Sequence, residues 1–205
     1  MRKKVVNKIV KYIKSKKKLS KNEEDIIIYG LESLYILITK LFIISLVAYL
    51  LGIFIEYLIF LLLFNIIRIF AYGIHATKSY ICLIISLVTF ILLPYICTKM
   101  VIPFVYKLII GIPLILLIYK NSPADKYKRP IINKKRRYRL KITSTIISII
   151  YIIVSLYVPS FYSNALIFSL ILENIFISPT TYKIFKLPYN NYLNYIKEEK
   201  GNVFN

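Results

Sequence analysis

Residues 31–70 read LESLYILITKLFIISLVAYLLGIFIEYLIFLLLFNIIRIF, with only Glu32, Lys40, Glu56 and Arg68 charged. A membrane-crossing helix needs about 20 predominantly apolar residues. The stretch is therefore read as two spans, 31–51 and 53–70, joined with almost no loop. Working outward, four more apolar runs follow at 80–98, 101–119, 142–158 and 161–178. The whole chain of 205 residues is 58% hydrophobic with mean hydropathy +0.66, which leaves too little polar surface for a soluble domain of this length. The expected fold is an all-α integral membrane protein with about six transmembrane helices. Several runs are short, so four crossings with two re-entrant segments is the alternative.

The charges choose between these counts. The net charge is +20, and the basic residues stand in blocks between the apolar runs. The block from Arg2 to Lys21 and the loop 120–141 each carry ten Lys or Arg, and Lys183, Lys186, Lys197 and Lys200 follow the last run. With six crossings and a cytoplasmic N-terminus, all three regions lie inside, as does the Arg68–Lys78 loop. The outer turns near 52, 99 and 160 then contain only Lys99. This matches the excess of Lys and Arg on cytoplasmic loops. The reading is a multi-pass membrane protein with both termini cytoplasmic, and the dominance of Tyr, Ile, Lys and Asn suits a bacterial cell membrane. Blocks of this kind suit anionic lipids; no motif for nucleic-acid binding accompanies them.

The chain reads as a single membrane domain, 1–205, in three parts. Residues 1–20 form an amphipathic interfacial helix, with Val5, Val6, Ile9, Val10 and Ile13 on one face and lysines on the other. Residues 21–178 form the transmembrane core, including the basic loop, and 179–205 form a cytoplasmic tail. No secretory cleavage site is read at the N-terminus. Ser20 followed by Glu23 is a capping-box pair, placing a helix start near Lys21.

Chemistry concentrates in RIFAYGIHATKSYIC, residues 68–82, which holds the only histidine, His75, and ends at Cys82. A cysteine nucleophile needs a base to form thiolate, and histidine commonly serves. Seven residues of straight helix would hold the two about 10 Å apart, beyond hydrogen-bond reach. The pair works only if the backbone breaks between them, and Gly73, Thr77 and Ser79 suit a loop followed by a helix start. Cys82 would then stand near a helix N-terminus, where the dipole favours thiolate. The plain alternative is an interfacial histidine and an ordinary buried cysteine. Cys97 is read as a small apolar filler. If one helix carries both cysteines they lie about 22 Å apart, too far for a disulfide. One histidine and two distant cysteines complete no metal site, and no cofactor is expected.

Glu32, Arg68 and Glu173 map to the cytoplasmic third of the bilayer, where charges must face one another or a wet cavity. Either glutamate could pair with Arg68, and one could orient His75. Lys40, Glu56 and Lys107 read as packing partners or snorkelling groups. In the basic loop, Asp125, Lys126, Lys128, Arg129, Lys134, Lys135, Arg136 and Arg137 are candidates for substrate contact, an electrostatic dock for an acidic peptide. Inside-retention and lipid contact are the plainer role.

These segments resemble the AgrB accessory gene regulator family of Gram-positive bacteria along most of the chain. RIFAYGIHATKSYIC is similar to that family's catalytic segment, with Arg seven residues before His, Gly two before it and Cys seven after. SPADKYKRPI (122–131) resembles its Pro-Ala-rich basic loop; YGLE (29–32) and the Glu173 to Pro179 spacing are weaker likenesses. The family often has Gly-Gly before the His region, where this chain has Tyr72-Gly73.

The resemblance implies a membrane cysteine endopeptidase that processes the AgrD pro-peptide of a quorum-sensing system. Cys82 would be the nucleophile, His75 the base, and Arg68 and Gly73 supporting residues. The implied course is an acyl-thioester on Cys82, then ring closure to a thiolactone or lactone. A homodimer is also implied. A non-enzymatic peptide exporter or membrane scaffold would explain the spans and charges, but not the 68–82 segment.

Overall fold

The computed structural model describes residues 2–16, 20–74, 79–125 and 130–196, and these form two compact units divided after Leu51. Among the described residues the regular structure is helical, and six helices are long and apolar enough to cross a membrane. The all-α, six-span expectation is met.

The first unit is a helical hairpin of α1 (Arg2–Lys16) and α2 (Lys21–Leu50). Ser20 caps α2 as its sequence foretells: its hydroxyl accepts from the Glu23 amide, and the Glu23 carboxylate accepts from the Ser20 amide at 2.9 Å. Two ion pairs, Arg2 to Glu32 at 3.4 Å and Lys14 to Glu24 at 2.6 Å, fix α1 antiparallel to the first turns of α2. Val6 and Val10, one turn apart, are buried as α1 packs on α2, whereas Val5, Ile9 and Tyr12 stay exposed. The thirty residues of α2 extend about 45 Å, longer than the roughly 30 Å hydrocarbon layer. The extra length is the polar start, and α1 packs there.

The second unit gathers the other five spans. These are α3 (Phe54–Ala71), a rod of α4 (Ser79–Leu87), a π-turn (Val88–Leu92) and α5 (Leu93–Lys99), then α6 (Phe104–Asn121), α7 (Lys134–Ser155) and α8 (Ser160–Ile177). A short α9 (Pro179–Ile184) follows. Pro94 accounts for the π-turn, because its ring displaces the carbonyl four residues earlier and it offers no N–H.

α8 is the axis of this unit, 61% buried where no other span exceeds 28%, and it packs against α3, α5, α6, α7 and α9. Its sequence explains the position. Ser163, Asn164, Ala165, Ser169, Glu173 and Asn174 are small or polar, and inside a bilayer such residues face protein. Asn164 donates to the carbonyls of Cys97 and Met100, Asn174 to that of Leu114, and Ser163 to that of Ser155. Lys107, read from sequence as a packing partner or a snorkelling group, donates to the Ser155 carbonyl at 2.9 Å.

α6 and α7 approach closely where Gly111 meets Ile152: a Cβ on Gly111 would stand 2.8–3.0 Å from three atoms of the isoleucine side chain. β-Branching leaves Ile152 little room to turn aside. Gly111→Ala is therefore expected to cost about 1–3 kcal/mol, read as a lower midpoint of thermal unfolding in detergent, with Gly111→Val worse. An unchanged midpoint would mean the two helices part without cost.

Candidate functional site

The site forms where α3 ends. Arg68 is in its last turn, and the Tyr72 amide closes the helix on the Arg68 carbonyl at 3.0 Å. The backbone then turns sharply, with Tyr72 at φ 63° and Gly73 at φ 110°. A tyrosine in the positive-φ region is strained by about 1–3 kcal/mol, a conformation that persists only where neighbours over-determine it.

Two tethers do so. The first is Arg68 itself. One guanidinium nitrogen donates to the Ile74 carbonyl, and the other pairs with Glu173 of α8 at 3.3 Å. Glu173 is wholly buried, and the guanidinium lies over Phe176 at 5.0 Å and Phe64 at 5.8 Å. The Ile74 amide donates to the Phe176 carbonyl at 3.3 Å, so residue 74 is held at both polar atoms. The second tether comes from the loop after α6. There the Ala124 amide donates to the Ala71 carbonyl at 2.9 Å, and Ala124 pairs with Tyr72 in an isolated parallel bridge.

Gly73 is required on two grounds. Its φ favours glycine, and a Cβ there would stand 2.5 Å from the Arg68 guanidinium and 3.1 Å from the Phe176 carbonyl. Gly73→Ala is expected to destabilise by about 1–3 kcal/mol, seen as a lowered melting midpoint. A variant that melts like the parent would remove the argument for a tight turn.

The structure brings Arg68, Gly73 and Glu173 together, choosing Glu173 of the two glutamates considered for Arg68. Glu32 pairs instead with Arg2 inside the first unit. His75 follows Ile74 directly in sequence but lies outside the described residues, as do Lys126, Lys128 and Arg129. Cys82 is the fourth residue of α4 and half-buried, near the start of the third span as expected. The turn Tyr72–Ile74 is non-helical and α4 begins at Ser79, while residues 75–78, on which the expected break between His75 and Cys82 mostly falls, lie outside the described residues. Cys97, fully buried on α5, suits its reading as filler.

In the basic loop the charges divide. Lys134, Lys135 and Arg136 are exposed in the first turn of α7, which Asn133 caps by accepting from the Arg136 amide. Asp125 is 3% exposed and paired with Arg137. Around them, the Tyr192 amide donates to the other Asp125 carboxylate oxygen at 3.0 Å, and the Tyr182 hydroxyl to its backbone carbonyl at 2.6 Å. Burial, with Asp125 nearby, pushes the Tyr182 hydroxyl above its ordinary range, so it stays a donor.

Phe176, Tyr182 and Tyr192 were not singled out from sequence. Phe176 sits three residues after Glu173 on one helix face, a spacing that could have flagged it. Nothing local links Tyr182 or Tyr192 to Asp125.

These features define a multi-pass helical membrane protein with a cysteine near the start of one span and, at the end of the span before it, a turn held by a half-buried arginine paired with a buried glutamate. Residues 6–177 match the profile of the family described as Accessory gene regulator B, and the chain belongs to that family. It is 31% identical over 164 residues to a putative AgrB-like protein of Clostridium acetobutylicum, covering 80% of this chain and 78% of that one. To the accessory gene regulator protein B of Staphylococcus intermedius it is 33% identical over 132 residues, 64% of this chain and 70% of that one. A putative AgrB-like protein of Listeria innocua is 31% identical over 170 residues, 82% of each. No solved structure matches the chain.

Proposed function

We propose that this protein is a membrane cysteine endopeptidase that matures a quorum-sensing pro-peptide, with Cys82 as nucleophile and His75 as base. Family membership supports a role in the accessory gene regulator system, whose pro-peptide would be AgrD-like. The observation that carries the finer reading is the anchored turn. The Arg68–Glu173 pair fixes Ile74, the residue next to His75, while Cys82 sits near the start of α4.

In the first step the Cys82 thiolate attacks a backbone carbonyl carbon of the pro-peptide. A C–S bond forms, the C–N bond breaks, and His75, which holds the thiol proton, gives it to the departing amine. The C-terminal fragment leaves, and the rest remains as a thioester on Cys82. A thiol or hydroxyl within the bound peptide then attacks that thioester. The ring forms, the Cys82 C–S bond breaks, and the attacking group's proton returns to the Cys82–His75 pair. Where a thiol attacks, one thioester is exchanged for another and the step is nearly balanced, so ring closure needs water kept away, as a site recessed at the membrane surface allows. Backbone N–H groups at the start of α4 are the proposed oxyanion donors.

The exposed Lys134, Lys135 and Arg136 support docking of an acidic peptide segment. Cations in the first turn of a helix oppose its dipole, so they gain from an anionic partner. Lys126, Lys128 and Arg129 join them in this proposal, as do anionic lipids, a homodimer and the cytoplasmic placement of both termini.

The test is co-expression with the candidate pro-peptide and mass spectrometry of the membrane fraction. A hydroxylamine-labile peptide adduct on the tryptic fragment containing Cys82 is expected. Correct cleavage with no adduct, even under rapid acid quench, would end the thioester mechanism.

A further inference from the structure

Asp125 has its polar atoms engaged from three directions. Arg137 pairs with one carboxylate oxygen, the Tyr192 amide donates to the other at 3.0 Å, and the Tyr182 hydroxyl donates to the carbonyl at 2.6 Å. Arg137, half-buried, is turned inward as well. It also donates to the Pro123 carbonyl at 3.0 Å and the Ile131 carbonyl at 3.4 Å, and its guanidinium lies 3.6 Å over the Tyr192 ring. Tyr182 and Tyr189 meet edge to face, and the Tyr189 hydroxyl reaches the Asn121 side chain at 3.2 Å. The segment after α8 thus closes on the loop after α6. That loop in turn holds the exit of α3 through Ala124, Ala71 and Tyr72.

We propose that Asp125, Arg137 and the segment 179–196 are a positioning clamp for the turn that leads to His75, and not part of the surface that binds the pro-peptide. The inference deepens the function proposed above and rests on it for its catalytic readout. Asp125 is buried with both carboxylate oxygens taken, and Arg137 is turned inward onto three acceptors and a ring, so the pair is committed to the fold and not presented to a substrate. Neutralising Asp125 would leave Arg137 without its carboxylate partner, and Pro123 and Ala124 would shift. The turn at Ala71–Ile74 would then keep only its Arg68–Glu173 tether. Misplacement of a catalytic group lowers the rate at saturation and spares affinity for the peptide.

The experiment uses the full-length protein in lipid nanodiscs with the candidate pro-peptide. It measures single-turnover thioester formation against peptide concentration, and hydrogen exchange of the 70–75 backbone in the same samples. For Asp125→Asn the saturating rate is expected to fall about tenfold to a hundredfold, with the half-saturating concentration within about twofold of the parent. Amide exchange in 70–75 should become faster. The double variant Lys135→Ala/Arg136→Ala should do the reverse, raising half-saturation and sparing the saturating rate. Tyr182→Phe removes one hydroxyl and is the mild variant should Asp125→Asn not fold; a several-fold loss at saturation is expected.

A rise in half-saturation with the saturating rate intact in Asp125→Asn would overturn the clamp, as would unchanged rate and exchange. Absence of any thioester in the parent protein would instead defeat the role of Cys82. The exchange measurement would still decide the clamp, faster exchange in 70–75 sustaining it and unchanged exchange overturning it.

Discussion

Replacing Cys82 by serine is expected to lower pro-peptide processing on the order of 10⁴-fold, while Cys97→Ser leaves it intact. A serine hydroxyl is far less acidic than a thiol, and a single histidine does not make it an effective nucleophile at neutral pH. Cys97 supplies the control because it is fully buried on α5, with its carbonyl holding Asn164. A serine hydroxyl there can bond back to the carbonyl one turn earlier, so the substitution costs little in fold. Processed peptide per amount of folded protein is the quantity to compare. His75→Gln should lose about 10²- to 10⁴-fold at neutral pH. Processing by Cys82→Ser within tenfold of the parent would sink the nucleophile assignment.

What the sequence discloses and what it hides divide along physical lines. Signals carried by neighbouring residues were legible. Ser20 and Glu23 mark the start of α2, the apolar runs mark the six spans, and Gly73 marks the turn that follows α3. The intramembrane charges could be narrowed because hydrocarbon leaves them few options. Glu173 was thereby one of two candidates for Arg68, though 105 residues separate the pair. The other candidate, Glu32, goes to Arg2, a contact set by how α1 folds back on α2.

The basic loop was least legible. Charge counting places Asp125 and Arg137 in the same docking loop as Lys135, yet Asp125 is buried and Arg137 half-buried in mutual contact, while Lys135 is exposed. That distinction depends on Tyr182 and Tyr192, which arrive from beyond the last span. Tyr72 is similar: its positive φ is imposed by two tertiary tethers on a residue whose own preference opposes it.

Those tethers lead to the second large effect, at Arg68 and Glu173. Arg68→Met or Glu173→Gln alone leaves one buried charge uncompensated, which is expected to cost about 3–5 kcal/mol, a large share of the stability of an ordinary domain. Each single variant should be poorly folded as well as inactive. The double variant Arg68→Met/Glu173→Met removes both charges and fills the space with flexible apolar side chains. Its fold should recover to within about 1–2 kcal/mol of the parent. Processing should not recover, remaining about a hundredfold down, because no group then donates to the Ile74 carbonyl. Arg68→Lys separates the roles from the other side. An ammonium keeps the charge for Glu173 but has no planar fork with which to hold Ile74 as well. It should fold and still process slowly, at unchanged half-saturating peptide. Full activity in the lysine variant, or in the refolded double variant, would show that the pair merely holds α3 to α8. A folded protein with a low saturating rate in both would mean that the arginine holds the turn at Ile74, and with it the histidine that follows.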